Sequence, residues 1–146
     1  MNDKILEISD LHVIYKMDLS TVHAVNGISL SLERGETLGI VGETGAGKTT
    51  MALAILRLLP ERTGRIPQGS IVFQGQNIGR LGEEEMRKIR GDKIAMIFQD
   101  PMTSLNPVLT VGEQIFEAIE LHSENKSKEQ IEARVDEVLL LLGIEP

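Results

Sequence analysis

The first third of the chain mixes hydrophobic and polar positions in the manner of β-strands. Residues 5–15 combine Ile, Leu and Val with polar residues, and residues 28–33 alternate strictly. Strict alternation is typical of a strand with one buried and one solvated face, the commonest case in antiparallel sheets. Residues 37–41 are more continuously apolar and predict a central strand covered on both faces. We therefore expect an antiparallel layer followed by a parallel one.

The middle of the chain predicts further helices and strands. An apolar helix is expected over residues 51–59, ended by Pro60, and a strand over residues 70–77 that closes in a turn. A short helix should follow, because glutamates at 83–85 and basic residues at 87, 88 and 90 complement the helix dipole. Residues 94–98 form an uninterrupted apolar run, which predicts a second central strand.

Two capping boxes predict two helices near the end of the chain. Thr110 with Glu113 begins the first, and Ser127 with Gln130 begins the second. Gly143 is expected to end the second helix. The residues expected to face inward are apolar and helically spaced: Val111, Ile115, Ala118 and Ile119 in the first helix, and Ile131, Val135, Val138, Leu139 and Leu142 in the second.

Composition narrows the class of protein. The chain has 146 residues, of which 41% are hydrophobic, enough for one ordinary globular domain. Its formal charge is −7 and no basic cluster stands out, so nucleic acid is not expected as a partner. There is no cysteine, which excludes disulfides and thiolate metal sites. No apolar run approaches the roughly 20 residues of a membrane-spanning helix.

A glycine-rich loop after residues 37–41 carries the clearest chemistry. Glycines bend the backbone closely enough for several N–H groups to surround a polyphosphate, a lysine adds a cation, and a threonine hydroxyl can bind magnesium. The helix that follows turns its positive end toward the same place. The sequence therefore predicts a nucleoside triphosphate site formed by Gly42, Glu43, Thr44, Gly45, Ala46, Gly47, Lys48, Thr49 and Thr50.

Gln99 is a second candidate site residue. It follows the apolar run 94–98, and ligands of open α/β sheets bind where such strands end. A neutral amide oxygen can bind a hard cation and withdraw without leaving a buried charge.

Residues 96–107 read Met-Ile-Phe-Gln-Asp-Pro-Met-Thr-Ser-Leu-Asn-Pro. Through this segment and the glycine-rich loop, the chain resembles the nucleotide-binding subunits of ABC importers for oligopeptides, dipeptides and nickel. The resemblance covers the whole chain and implies an α/β fold. Its parts would be an N-terminal antiparallel β layer and a P-loop NTPase core through about residue 109, then the start of a helical subdomain over residues 110–146.

The resemblance also implies roles for single residues. Gln99 matches the Q-loop glutamine, which helps bind magnesium, approaches the attacking water and contacts the transmembrane partner. Lys48 and Gln99 would then be the catalytic residues present, and Thr49 and Gln99 the magnesium ligands. Tyr15 lies where the family keeps an aromatic residue that stacks on adenine, although a strand tyrosine is often only a packing residue.

Several parts of the family pattern are not found in this sequence. No aspartate follows an apolar strand with a glutamate next to it, and the Leu-Ser-Gly-Gly-Gln signature is absent. The chain therefore resembles the N-terminal part of a nucleotide-binding domain. We expect it to bind nucleotide but not to hydrolyse it efficiently alone, and unpaired strands and exposed apolar faces predict marginal stability or aggregation.

The function that the resemblance implies is ATP binding with Mg²⁺, and ATP hydrolysis in the complete protein, to energise import of peptides or related small solutes. The implied partners are transmembrane permease subunits, a second ATP-binding subunit and, indirectly, an extracytoplasmic substrate-binding protein, at the cytoplasmic face of a prokaryotic cell membrane. Three alternatives stay open: a non-catalytic regulatory nucleotide-binding module, a soluble ABC-type ATPase of DNA repair or translation, and an unrelated P-loop kinase or GTPase.

Overall fold

The computed structural model describes residues 3–100, 104–123 and 126–145. The chain falls into two units, one up to Arg87 and the other from Lys88. The first unit holds a β-sheet with short helices, and the second holds a pair of longer helices. None of the helices in the described ranges is long and apolar enough to cross a membrane. A division into a core through about residue 109 and a helical subdomain from residue 110 stays a prediction.

The sheet of the first unit confirms the predicted antiparallel layer. Its strands are β1 (Lys4–Lys16), β2 (Thr21–Glu33), β3 (Gly64–Phe73) and β4 (Gln76–Asn77), in the order β2-β1-β3-β4, and all neighbours are antiparallel. β2 and β3 both begin earlier than the patterns at 28–33 and 70–77 predicted. Residues 64–69, which the predicted strand at 70–77 did not include, form the first half of β3, because they pair with the second half of β1.

A bulge in β1 is centred on Asp10, whose φ is +48°. The register between β1 and β3 shifts here, and β3 approaches so closely that a Cβ at Gly69 would lie 2.4 Å from the Asp10 carbonyl oxygen. The Gln68 amide donates a hydrogen bond to the Asp10 carboxylate, and the His12 ring lies 3.1 Å from its other oxygen. These two hydrogen bonds, the one from Gln68 first, lower the pKa of the Asp10 carboxyl.

Three short helical segments accompany the sheet: α1 (Lys48–Ile55), a 3₁₀ turn (Ile78–Arg80) and α2 (Glu83–Arg87). The prediction that the first helix continues to residue 59 was wrong. Arg57 adopts a left-handed conformation with φ +54°, and the Leu58 N–H bonds back to the Leu53 carbonyl at 2.8 Å. This is the Schellman geometry that ends helices, formed here without glycine. The buried residues of sheet and helices are apolar: Ile8, Leu11, Val13, Val25, Met51, Ala54, Leu56, Ile71, Phe73, Ile78 and Met86.

The second unit contains the two predicted helices, α3 (Val111–Leu121) and α4 (Lys128–Leu141). Both capping boxes are confirmed. Gly143, with φ +73°, ends α4, and the Ile144 N–H bonds to the Leu139 carbonyl at 2.9 Å. The core between the helices is formed by Ile131, Val135 and Leu139 with Ile115, Phe116 and Ile119. Three residues predicted to face inward are exposed: Val111, Ala118 and Leu142.

The two predicted central strands are not strands in this structure. Residues 37–41 have no strand partner within the described ranges, and Val41 is 95% exposed. Residues 94–98 make one isolated bridge, between Arg90 and Ile94, and Ile97 is 93% exposed. A strand exists only through hydrogen bonds to a neighbouring strand, so an apolar run without such a neighbour stays irregular.

Candidate functional site

The glycine-rich loop joins residues 37–41 to α1 within the first unit. Its backbone makes a tight turn, in which the Ala46 N–H donates to the Glu43 carbonyl at 3.1 Å. Gly45 and Gly47 have φ values of +85° and +83°, which residues with side chains adopt only at a cost. The glycine pattern is therefore explained by the local geometry of the turn.

Gly47 is also required by the close approach of the loop to β2. A Cβ at this position would lie 2.2 Å from the Ala24 carbonyl oxygen, which is a backbone atom and cannot rotate away. A Cβ at Gly45, by contrast, would meet nothing within 4 Å. Contact with β2 thus fixes the end of the loop, while the tip remains open to solvent.

Lys48 is held against its own loop. Its Nζ atom donates to the Gly42 carbonyl at 2.6 Å and to the Glu43 carbonyl at 2.7 Å. An ammonium group has three donors, so one remains for an anion. The charge of Lys48 is therefore held at the mouth of the loop by the carbonyls of the loop itself.

The N-terminus of α1 offers further donors. Gly47 is its N-cap and supplies no side-chain hydrogen bond, and the first closed turn is made by the Met51 N–H to the Gly47 carbonyl at 2.9 Å. The N–H groups of Lys48, Thr49 and Thr50 precede that turn and have no partner within the helix. No acidic residue lies in the first turn. This donor set suits a polyphosphate, and the exposed Thr49 hydroxyl beside it suits a magnesium ion.

Tyr15, the predicted adenine-stacking residue, lies close to the same helix. It is half-buried near the end of β1, and its hydroxyl donates to Thr50 Oγ1 at 3.3 Å. The structure thus brings Tyr15 together with the first turn of α1. The sequence alone did not assign a role to the Thr50 side chain, because the two residues are 35 positions apart.

Gln99 belongs to the second unit, where it is exposed. Pro101, Met102 and Thr103 of the segment that carries the resemblance lie outside the described residues. Beyond them, the chain is joined to α3 by Gln114, whose Oε1 accepts from the Asn106 N–H at 2.9 Å and whose amide donates to the Asn106 carbonyl at 3.2 Å. A local network thus connects the end of this segment to the start of the helical pair.

Comparison with known proteins decides the family. A sequence model described as "ABC transporter" matches residues 25–146. The chain belongs to the ABC transporter family. This family match includes the glycine-rich loop, Gln99 and both helices of the second unit.

ABC transporter proteins named for peptide transport are similar to this chain along nearly its whole length. A probable peptide ABC transporter ATP-binding protein, y4tR of Sinorhizobium fredii, is 44% identical over 99% of the chain. The oligopeptide transport ATP-binding protein OppD of Bacillus subtilis is 45% identical over 97%. The matched parts are 43% and 39% of these relatives, so the chain spans about two-fifths of their length. The predicted resemblance is confirmed.

Solved ABC structures share the fold. The ATP-binding cassette MJ0796, seen as a dimer in a post-hydrolysis state bound to ADP and Pi, superposes with a TM-score of 0.79 at 27% identity, covering 96% of this chain and 58% of that one. For cbiO1 from Clostridium perfringens, part of the ABC transporter complex cbiONQ, the TM-score is 0.70 at 27% identity, with coverage of 99% and 52%. The predicted ABC ATPase type of fold is confirmed.

Proposed function

We propose that this chain provides the nucleotide-binding loop of the ATPase subunit of an ABC importer that transports peptides. The observation that carries the proposal is the position of the Lys48 ammonium, which two carbonyls hold at the mouth of a loop followed by a helix N-terminus. This arrangement concentrates positive charge and N–H donors at one point, as binding of a triphosphate requires.

In the proposed complex, different residues would contact the phosphates, the adenine and the Mg²⁺ ion. The backbone N–H groups from Gly42 to Gly47 and of the first turn of α1 would surround the phosphates. Lys48 would contact the outer phosphates, and Tyr15 would stack on adenine. Thr49 and Gln99 would bind Mg²⁺, which when bound neutralises charge that develops on the phosphates.

The partners and location follow from the same proposal. The relatives are named as ATP-binding proteins of peptide, oligopeptide and dipeptide transport. We infer that this chain acts with transmembrane permease subunits and a second ATP-binding subunit at the cytoplasmic face of the membrane, and indirectly with an extracytoplasmic substrate-binding protein. The catalytic carboxylate would come from outside this chain, since no aspartate in its sequence has the required context.

The test is calorimetric titration of the 146-residue chain with Mg-ATP. Lys48→Ala is expected to weaken binding at least roughly tenfold, because it removes a charge-assisted contact to phosphate. Lys93→Ala is the matched control, since Lys93 is exposed and lies in the other unit. Equal affinities for wild type and Lys48→Ala would contradict the proposed site. Substantial Lys48-dependent release of phosphate by the chain alone would contradict the inference about the missing carboxylate.

A further inference from the structure

A hydrogen bond joins the sheet to the N-terminal end of α1. Tyr15 lies near the end of β1, and its hydroxyl donates to the Thr50 hydroxyl oxygen at 3.3 Å. Thr50 is in the first turn of α1, next to Lys48 and Thr49. The bond therefore connects the predicted base-stacking residue with the helical turn that offers donors to phosphate.

Neither strand position opposite Tyr15 carries an aromatic or long side chain. Opposite it on β3 is Gly64, which has no side chain, and a Cβ there would lie 2.7 Å from Leu59 Cβ. Opposite it on β2 is Val22, which is 45% exposed. Cross-strand neighbours normally restrict an aromatic side chain, so here the hydroxyl group at the far end of the ring becomes important for its orientation.

We propose that Thr50 is a positioning residue for Tyr15. Its hydroxyl holds the end of the ring at the start of α1, and so fixes the distance between the base-stacking face and the phosphate loop. The inference rests on the proposed function, because it requires a nucleotide whose phosphates occupy the loop. It goes further by assigning the Thr50 side chain to recognition of the base.

The proposal predicts an effect that depends on the base. A hydrogen bond between neutral groups at a half-buried site has a modest net strength, so its loss should weaken Mg-ATP binding roughly three- to tenfold. Binding of Mg-tripolyphosphate, which has phosphates and no base, should weaken less than binding of Mg-ATP, because the backbone donors and Lys48 remain. A purely structural role for Thr50 would weaken both ligands alike.

The test compares Thr50→Val, Thr50→Ser and Tyr15→Phe by calorimetry with both ligands. Valine keeps the shape of threonine without its hydroxyl, serine retains the hydroxyl, and phenylalanine retains the stacking ring. Thr37→Val is the matched control, since Thr37 is exposed and lies before the loop. Because Tyr15 is the single tyrosine and the chain has no tryptophan, the intrinsic fluorescence of the Thr50 variants comes from Tyr15, and its quenching by nucleotide, corrected for absorption by adenine, reports on stacking.

We expect Thr50→Val and Tyr15→Phe to weaken the affinity for Mg-ATP by the same factor. The variant that carries both substitutions should bind no more weakly than either single variant, and Thr50→Ser should bind like the wild type. Nucleotide should quench tyrosine fluorescence less in Thr50→Val than in wild type. Additive losses in the double variant, an equal loss for Mg-tripolyphosphate, or wild-type affinity in Tyr15→Phe would each overturn the proposal. A wild-type chain that does not bind Mg-tripolyphosphate would instead refute the proposed function.

Discussion

Replacement of Gly47 by alanine tests whether contact with β2 fixes the end of the glycine-rich loop. Alanine in the left-handed region costs roughly 1–2 kcal/mol. Its Cβ would also lie 2.2 Å from the Ala24 carbonyl oxygen, so the loop or β2 must move by at least 0.8 Å to reach 3.0 Å. Overpacking of this kind costs about 1–3 kcal/mol more. We expect Gly47→Ala to lower the free energy of unfolding by roughly 2–5 kcal/mol.

Gly45→Ala is the matched control, because its φ is similar and its Cβ would meet nothing within 4 Å. Gly45→Ala should lower the free energy of unfolding only by the cost of alanine in the left-handed region, roughly 1–2 kcal/mol. The effect of alanine on the unfolded chain is common to both variants and cancels in the comparison. Urea unfolding followed by circular dichroism without nucleotide gives both values. Equal destabilisation by Gly47→Ala and Gly45→Ala would refute the argument that contact with Ala24 matters.

Two further predictions concern stability. Leu139→Ala should lower the free energy of unfolding, measured in urea, by about 2–5 kcal/mol, because Leu139 is 6% exposed. Leu140→Ala should lower it little, because Leu140 is 62% exposed. Equal losses of stability in the two variants would contradict the described helix pair. Hydrogen bonds from Gln68 and then His12 lower the pKa of the Asp10 carboxyl in the folded chain below its ordinary value of 3.8. The ionised carboxyl therefore stabilises the fold above pH 3.8, and this contribution is lost as the pH falls through the lower pKa of the folded chain. Acid unfolding of Asp10→Asn should therefore depend less on pH in this range, and identical profiles would exclude this role.

Features determined by neighbouring residues were predictable from the sequence. A capping box uses side chains only three residues apart, so Thr110 and Ser127 marked the starts of α3 and α4 correctly. Gly143 marked the end of α4 for the same reason, since a left-handed residue favours glycine. Arg57 takes the same conformation without being glycine, and the end of α1 was therefore misplaced.

Features that depend on distant residues were not predictable in the same way. Apolar runs at 37–41 and 94–98 have the composition of buried strands, but composition does not supply the neighbouring strand that would pair with them. The early start of β3 at Gly64 depends on pairing with Tyr15, far away in the sequence. In all three segments, whether a strand forms depends on pairing with a segment that is distant in the sequence.

The candidate site shows the same difference between features set by neighbouring residues and features set by distant ones. The loop from Gly42 to Lys48 was identified from its spacing, and the structure adds the two carbonyl contacts of the lysine. The hydrogen bond between Tyr15 and Thr50 could not be inferred from the sequence, because only the fold brings β1 to the start of α1. The predicted role of Gln99, which lies in the other unit, stays a prediction.

The contacts of Lys48 with its own loop have a kinetic consequence. Because the Gly42 and Glu43 carbonyls already hold the ammonium, the conformational entropy of this long side chain is lost during folding rather than at the moment of ligand encounter. Association that leaves both contacts in place then needs no rearrangement of Lys48. Differences in affinity among loop variants should accordingly appear mainly as differences in residence time.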